Sequence, residues 1–209
     1  KFGNWKKIKI KNDGYIGNIK SNEFSKPIKP NFKVSVLKAN IFSKANSKKK
    51  LNKFLPYNSR LRITQKIRKF GKFDNYWVKI SDVKKIGFKN NNVFKDIKFF
   101  QNTRYLWGGK SYKGIDCSAL VQIFFNHNNK YCPRDSKDQE KFFKKKVKIK
   151  NIKRNDMIFW KGHVAIVLSK KKLIHAYGPM KKVVVMDIKK TIERIKRTAN
   201  LNVTSVRRI

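Results

Sequence analysis

Through the first ninety residues, apolar positions come in short alternating runs separated by turn residues. Trp5 to Ile10 is followed by the turn signal Asn12-Asp13-Gly14 and then by Tyr15 to Ile19, a pattern that predicts a β-hairpin. Lys33 to Leu37, Ala39 to Phe42, Arg60 to Gln65 and Trp77 to Ile80 are further predicted strands. No stretch here keeps a 3.6-residue period over a helical length. Pro27 and Pro30 bracket a predicted linker, since each removes a donor and extends its neighbour. After residue 90 the pattern changes. Val93, Ile97 and Phe100 fall at helix-like spacing, and Cys117 to Phe125 is an apolar run behind a capping candidate, Asp116. Segments 156–160, 163–168, 173–177 and 183–188 read as strands, 188–197 as a short amphipathic helix and 203–209 as a closing strand. Helices packed on an antiparallel sheet predict an α+β class.

A weak internal echo marks the first part. Trp5-Lys6-Lys7-Ile8, a turn and Ile16-Gly17 are matched by Trp77-Val78-Lys79-Ile80, a turn and Ile86-Gly87. Both units resemble bacterial SH3-like barrels, the first without its opening strands. The expected boundaries are a partial barrel over 1–26, a barrel over 32–88 and an α+β domain over 90–209. The sequence starts on Lys1 with no charged-then-apolar leader after it, which fits a start inside a domain.

Composition narrows the chemistry. The 209 residues hold 54 Lys plus Arg against 12 Asp plus Glu, a formal net charge of +42. Non-specific attraction to polyanions follows, and it weakens with salt. The cations are spread through every block alongside many Asn, Ile and Phe, all encoded by AT-rich codons, so compositional drift is read ahead of specific nucleic-acid binding. With 2 Cys, no disulfide framework or four-thiolate zinc site is expected. No apolar run approaches transmembrane length.

The informative segment is Tyr105-Leu106-Trp107-Gly108-Gly109 through Gly114-Ile115-Asp116-Cys117-Ser118. A glycine-rich loop runs into Asp116, and Cys117 then falls in the first helical turn. Unpaired N–H groups and the helix dipole there predict a thiol pKa below about 8.5. Of the 3 His in the chain, His163 opens one predicted strand and His175 lies in the next. A three-residue loop, Ser169 to Lys171, would set His175 opposite Ala165, one diagonal step from His163 on the same face. A loop of two or four residues would send the imidazoles to opposite faces. Cys117 is then a candidate nucleophile, His163 its base and His175 the orienting group. His127, in Asn126-His127-Asn128-Asn129, reads as solvated loop.

Taken with Pro133-Arg134-Asp135-Ser136, Asp156 to Trp160, Gly162 to Ile166 and Ile174-His175-Ala176, these motifs resemble the NlpC-type cell-wall cysteine endopeptidases. The resemblance covers roughly residues 90–209. It implies a papain-like core and, with the barrels, a subgroup related to dipeptidyl-peptidase VI. The implied reaction is hydrolysis of the γ-D-glutamyl bond to a diamino acid in peptidoglycan stem peptides, with no metal or organic cofactor. Cys117, His163 and His175 would be catalytic, and Tyr105 would line the oxyanion position. Asp116 and Ser118 would grip the substrate's terminal amine, and Trp107 would wall the pocket or join the core. Arg134 and Gln139 border the implied site as candidates for binding substrate carboxylates. Ala119 replaces the family's usual Gly, and Cys132 matches no catalytic position. The expected partners are muropeptides, on which the protein would act as a monomer, in the bacterial cytoplasm or the envelope. A catalytically inactive wall-binding protein, and amidase or transferase chemistry on the same fold, stay open as alternatives.

Overall fold

The computed structural model describes residues 5–20 and 27–209. The chain divides into two compact units, one of residues 1–90 with 127–129 and one of 91–126 with 130–209. Part of the expected 1–26 barrel (1–4 and 21–26) lies outside the described residues.

In the first unit the alternating start folds as an antiparallel hairpin, β1 (Trp5–Lys9) and β2 (Ile16–Lys20), with Ile8 opposite Gly17. Connections of two to seven residues then link β3 (Phe32–Val34), β4 (Lys38–Phe42), β5 (Lys50–Pro56), β6 (Arg60–Leu61), β7 (Gln65–Ile67), β8 (Phe70–Phe73), β9 (Tyr76–Lys79) and β10 (Val83–Lys85). They form a three-stranded sheet, β10-β3-β6, and a five-stranded sheet, β5-β4-β9-β8-β7. Val34, Ala39 and Val78 are fully buried at their centre. The expected strand 60–65 is split in two, because the Asn31 side chain grips Ile63, donating to its carbonyl and accepting from its N–H at 2.8 Å each. The tryptophan echo does not extend to pairing among the described residues: there β1 pairs with β2 alone, whereas β9 pairs with β4 and β8, and β10 with β3. His127 corrects the solvated-loop reading. It is buried, with its ring stacked on Tyr57 at 4.5 Å, and burial lowers its pKa to about 4.

The second unit opens with three-residue turns rather than the helix expected around 93–100. Asn92 Oδ1 accepts from Phe94 N–H at 2.9 Å, and only Ile97–Phe100 forms a 3₁₀ turn. Val93, Ile97 and Phe100 are all buried, so their spacing reported burial and not a helix. There follow β11 (Lys110–Ser111), β12 (Gly114–Ile115), α1 (Cys117–His127) and α2 (Ser136–Phe142). Next come β13 (Lys145–Lys146), β14 (Met157–Trp160), β15 (His163–Val167), β16 (Lys172–Tyr177), β17 (Lys182–Asp187), α3 (Ile188–Ala199) and β18 (Val203–Arg208). The six-stranded antiparallel sheet has the order β13-β18-β14-β15-β16-β17. Its inner strands are buried on both faces, which is why they read as continuous apolar runs. On one face Trp160, Ala165, Val167, Leu173 and Val184 pack with Ile188 and Ile195 of α3. Asp187 caps α3, accepting from Lys190 N–H, and Asn200 ends it in the left-handed region. The α+β class is therefore observed. Among the described residues no helix is long and apolar enough to cross a membrane.

Candidate active site

Strand register brings the two imidazoles together. Ile166 faces Ile174 and Val167 faces Leu173, the pairing that a three-residue loop requires. His163 Nε2 lies 2.9 Å from His175 Nδ1. The next strand extends the row by a second diagonal. His175 faces Val184 on β17, and Met186, two positions on, sets its Sδ 3.3 Å from His175 Nε2. One proton arrangement gives every N–H in this row an acceptor. His175 Nε2–H donates to the weakly accepting thioether, His163 Nε2–H donates to His175 Nδ1, and His163 Nδ1 keeps its lone pair. The opposite tautomer of His175 would aim a nitrogen lone pair at sulfur. Tyr177 stacks on His175 at 4.6 Å with the rings 10° from parallel, which holds the imidazole plane.

Cys117 reaches the same corner from α1. Asp116 caps that helix, its Oδ1 accepting from Ala119 N–H at 2.8 Å. The Cys117 thiol donates to the carbonyl of Gly162 at 4.0 Å and lies against the N–H of Val164, so the sulfur meets the backbone on both sides of His163. Lys161-Gly162 is the two-residue turn joining β14 to β15, and Gly162 takes φ +76°, a conformation that glycine supplies without strain. A buried thiol thus stands at a helix start against the backbone of the hairpin that carries two coupled histidines.

Residues 102–199 of this chain match the NlpC/P60 family. The matched segment, 102–199, is an NlpC/P60 domain. The chain is 36% identical over 85 residues to dipeptidyl-peptidase 6 of Lysinibacillus sphaericus, covering 41% of this chain and 31% of that protein. It is 33% identical over 102 residues to the γ-D-glutamyl-L-lysine dipeptidyl-peptidase of Bacillus subtilis, covering 45% and 34%. The chain therefore spans about a third of the length of each of these relatives. An NlpC/P60 family protein from Bacillus cereus shares the fold, with a TM-score of 0.81 at 21% identity over 100% of this chain and 77% of that one.

Within the NlpC/P60 domain, burial sets the protonation states. It pushes the Cys117 thiol up to about 11, while hydrogen bonds from Val164 and the helix start pull the other way without offsetting it. The expected lowering of the thiol is thus corrected: the helix start does favour the thiolate, but desolvation outweighs it. Burial also lowers His163 to about 4 and His175 well below its ordinary value, the latter with repulsion from His163 added. The resting pair is a neutral thiol and a neutral imidazole. Alkylation of Cys117 by iodoacetamide should accordingly accelerate about tenfold per pH unit between pH 6 and 9, following the thiolate fraction. A rate already at its plateau by pH 6 would show a preformed thiolate–imidazolium pair.

Loop and helix are tied through Asp116. Its Oδ2 accepts from Gly108 N–H at 2.9 Å, and Arg134 clamps both carboxylate oxygens, at 3.0 and 2.5 Å. Arg134 also donates to Ser118 Oγ at 2.9 Å. Gly109 packs its Cα against the backbone of the same loop, where a Cβ would sit 2.6 Å from the carbonyl oxygen of Gly114. Gln139 of α2 is fully buried and donates to the carbonyls of Ser118 and Pro133 at 2.8 and 2.9 Å. Arg134 and Gln139, expected as possible substrate contacts, are thus engaged in bracing the start of α1. Ala119 is fully buried at that start, so its methyl group is accommodated.

Tyr105 is half-buried beside Cys117. Burial and the neighbouring Cys117 and Asp116 raise its pKa to about 12, so the hydroxyl stays a donor. Trp107 is 82% exposed, which corrects the core option and leaves its indole on the surface. Cys132 is fully buried, and no disulfide joins it to Cys117. Arg134 and Met186 are the functional neighbours that sequence reading did not assign to the site in these roles. The spacing of neither signals its partner, since one pairs across eighteen positions and the other across two strands.

Proposed function

We propose that this domain is a cysteine peptidase that hydrolyses peptidoglycan stem peptides at the γ-D-glutamyl bond to a diamino acid. The observation that carries the reading is the row Met186–His175–His163, together with the Cys117 thiol set against the backbone of Gly162 and Val164 on either side of His163. The name of the Bacillus subtilis relative, a γ-D-glutamyl-L-lysine dipeptidyl-peptidase, supports the bond assigned, and that of the Lysinibacillus sphaericus relative supports dipeptidyl-peptidase activity.

The chemistry follows from the protonation states. As Cys117 Sγ bonds to the substrate carbonyl carbon, its proton passes to His163 Nδ1. Burial disfavours an isolated imidazolium, so proton transfer and attack are coupled. The positive charge on His163 is shared through Nε2–H with His175, which Met186 and Tyr177 keep in the accepting orientation. Charge on the carbonyl oxygen is met by the Tyr105 hydroxyl and by N–H groups at the start of α1. His163 then protonates the departing amine, and water, deprotonated by the same imidazole, cleaves the thioester.

In this reading Asp116 chiefly positions the loop and α1. Arg134, Ser118 and two backbone N–H groups already occupy its carboxylate, so a substrate amine meets Ser118 Oγ and only the edge of Asp116 left uncovered. Trp107 offers an exposed face against which a peptide can stack. The β-rich segment 32–88 is proposed to be the SH3-like barrel of the dipeptidyl-peptidase VI type. Incubation with purified muropeptides, followed by mass analysis of the products, tests the proposal. Release of the N-terminal L-Ala-γ-D-Glu dipeptide is expected. Unaltered muropeptides that remain bound would favour an inactive binding protein, and cleavage at another amide would move the activity to the amidase class.

A further inference from the structure

A cavity of about 490 Å³ in the NlpC/P60 domain is lined by His163 and Gly162 but by no residue of α1. Tyr105 and Tyr177 stand at its aromatic side, and the α3 residues Arg194 and Ile195 also line it. Two of its lining residues are cationic, Lys161 and Arg194, and none is Asp or Glu. The Arg194 guanidinium lies 6.0 Å over the Tyr177 ring, and Tyr177 is the ring that stacks on His175. One aromatic side chain therefore supports both the catalytic row and the cation at the cavity wall.

Position relative to the chemistry decides what this space receives. His163 is the group that returns a proton to the departing amine. A cavity bounded by His163, and not by the helix that carries the nucleophile, lies where the departing half of the substrate must sit. We infer that this cavity binds the residue on the leaving side of the scissile bond and holds a free carboxylate of that residue on Arg194 and Lys161. The inference rests on the peptidase reading and adds a substrate class to it: short stem peptides whose leaving residue bears an unblocked carboxylate are preferred over those in which it is amidated or extended. Arg194 suits the task because its planar fork matches a carboxylate, and its place over the Tyr177 ring sets it at the cavity wall.

Two synthetic peptides test this, L-Ala-γ-D-Glu-L-Lys with a C-terminal carboxylate and the same peptide with a carboxamide. The wild-type protein should show about tenfold higher kcat/KM on the carboxylate form, carried mainly by KM. The double variant Arg194→Gln/Lys161→Gln should bring that ratio to within about twofold of unity, and Arg194→Lys should restore part of it. Both side chains lie at the surface, so the variants should fold. With a net charge of +42, general attraction to anionic peptides must be separated from this cavity. Lys150→Gln, which removes a surface cation elsewhere in the domain, should leave the ratio as it is. Equal cleavage of both peptides by the wild type, or a ratio that Lys150→Gln lowers as much as the double variant does, overturns the assignment. Failure to cleave either peptide instead overturns the peptidase reading on which it rests.

Discussion

Cys117→Ala is expected to lower kcat/KM on a stem peptide by at least about a thousandfold, because no other group can form the acyl bond. The neighbouring architecture should survive the change. The thiol makes a long contact with the Gly162 carbonyl and lies against the Val164 N–H, and the helix start is held by Asp116, not by sulfur. Peptide should therefore still bind to the variant, and its thermal midpoint should match the wild type within a few degrees. Cys132→Ala provides the contrast. It removes a fully buried sulfur from the core, so it should cost stability of about 1–2 kcal/mol while turnover per folded molecule stays near the wild-type value. Loss of turnover in both variants alike, in proportion to loss of fold, would remove the special status of Cys117.

The second large effect is on stability. Arg134→Met should destabilise the domain by about 3–5 kcal/mol, because it strands the Asp116 carboxylate, only 6% exposed, without its guanidinium. The double variant Asp116→Asn/Arg134→Met should recover a good part of that loss, since the uncompensated charge is gone while Asn can still cap α1. Urea midpoints of the single and double variants measure both effects. If the single variant unfolds at the wild-type midpoint, the ion pair does not hold the loop to the helix. If the double variant is no better than the single, packing of the Arg134 side chain and not charge is what matters.

Much of this site could be read along the chain, since the decisive relations are local. Asp116 and Cys117 are adjacent, and a cap followed by an apolar run places the thiol at a helix start. His163 and His175 are joined by a short loop, so parity alone settles which face each imidazole takes. The parts that were not legible depend on partners distant in sequence. Arg134 meets Asp116 only because the segment after α1 returns to the helix start. Met186 is one more apolar residue in a strand until β17 pairs with β16 and turns its sulfur toward His175. Helix α2 was missed because Ser136–Phe142 carries almost no apolar periodicity, and its fully buried contact is the Gln139 amide. The thiol pKa was misjudged for a related reason. The helix start is visible in the sequence, whereas the burial that outweighs it arises only in the folded chain.

A single-turnover experiment tests the central claim most directly: excess protein is mixed with a stem peptide, quenched in acid within milliseconds to seconds and digested for peptide mass analysis. The account predicts a transient L-Ala-γ-D-Glu adduct on the fragment containing Cys117, appearing with release of the diamino acid and decaying as dipeptide accumulates. Hydrolysis that proceeds with Cys117 unmodified at every time point, or an adduct on Cys132 instead, would contradict it.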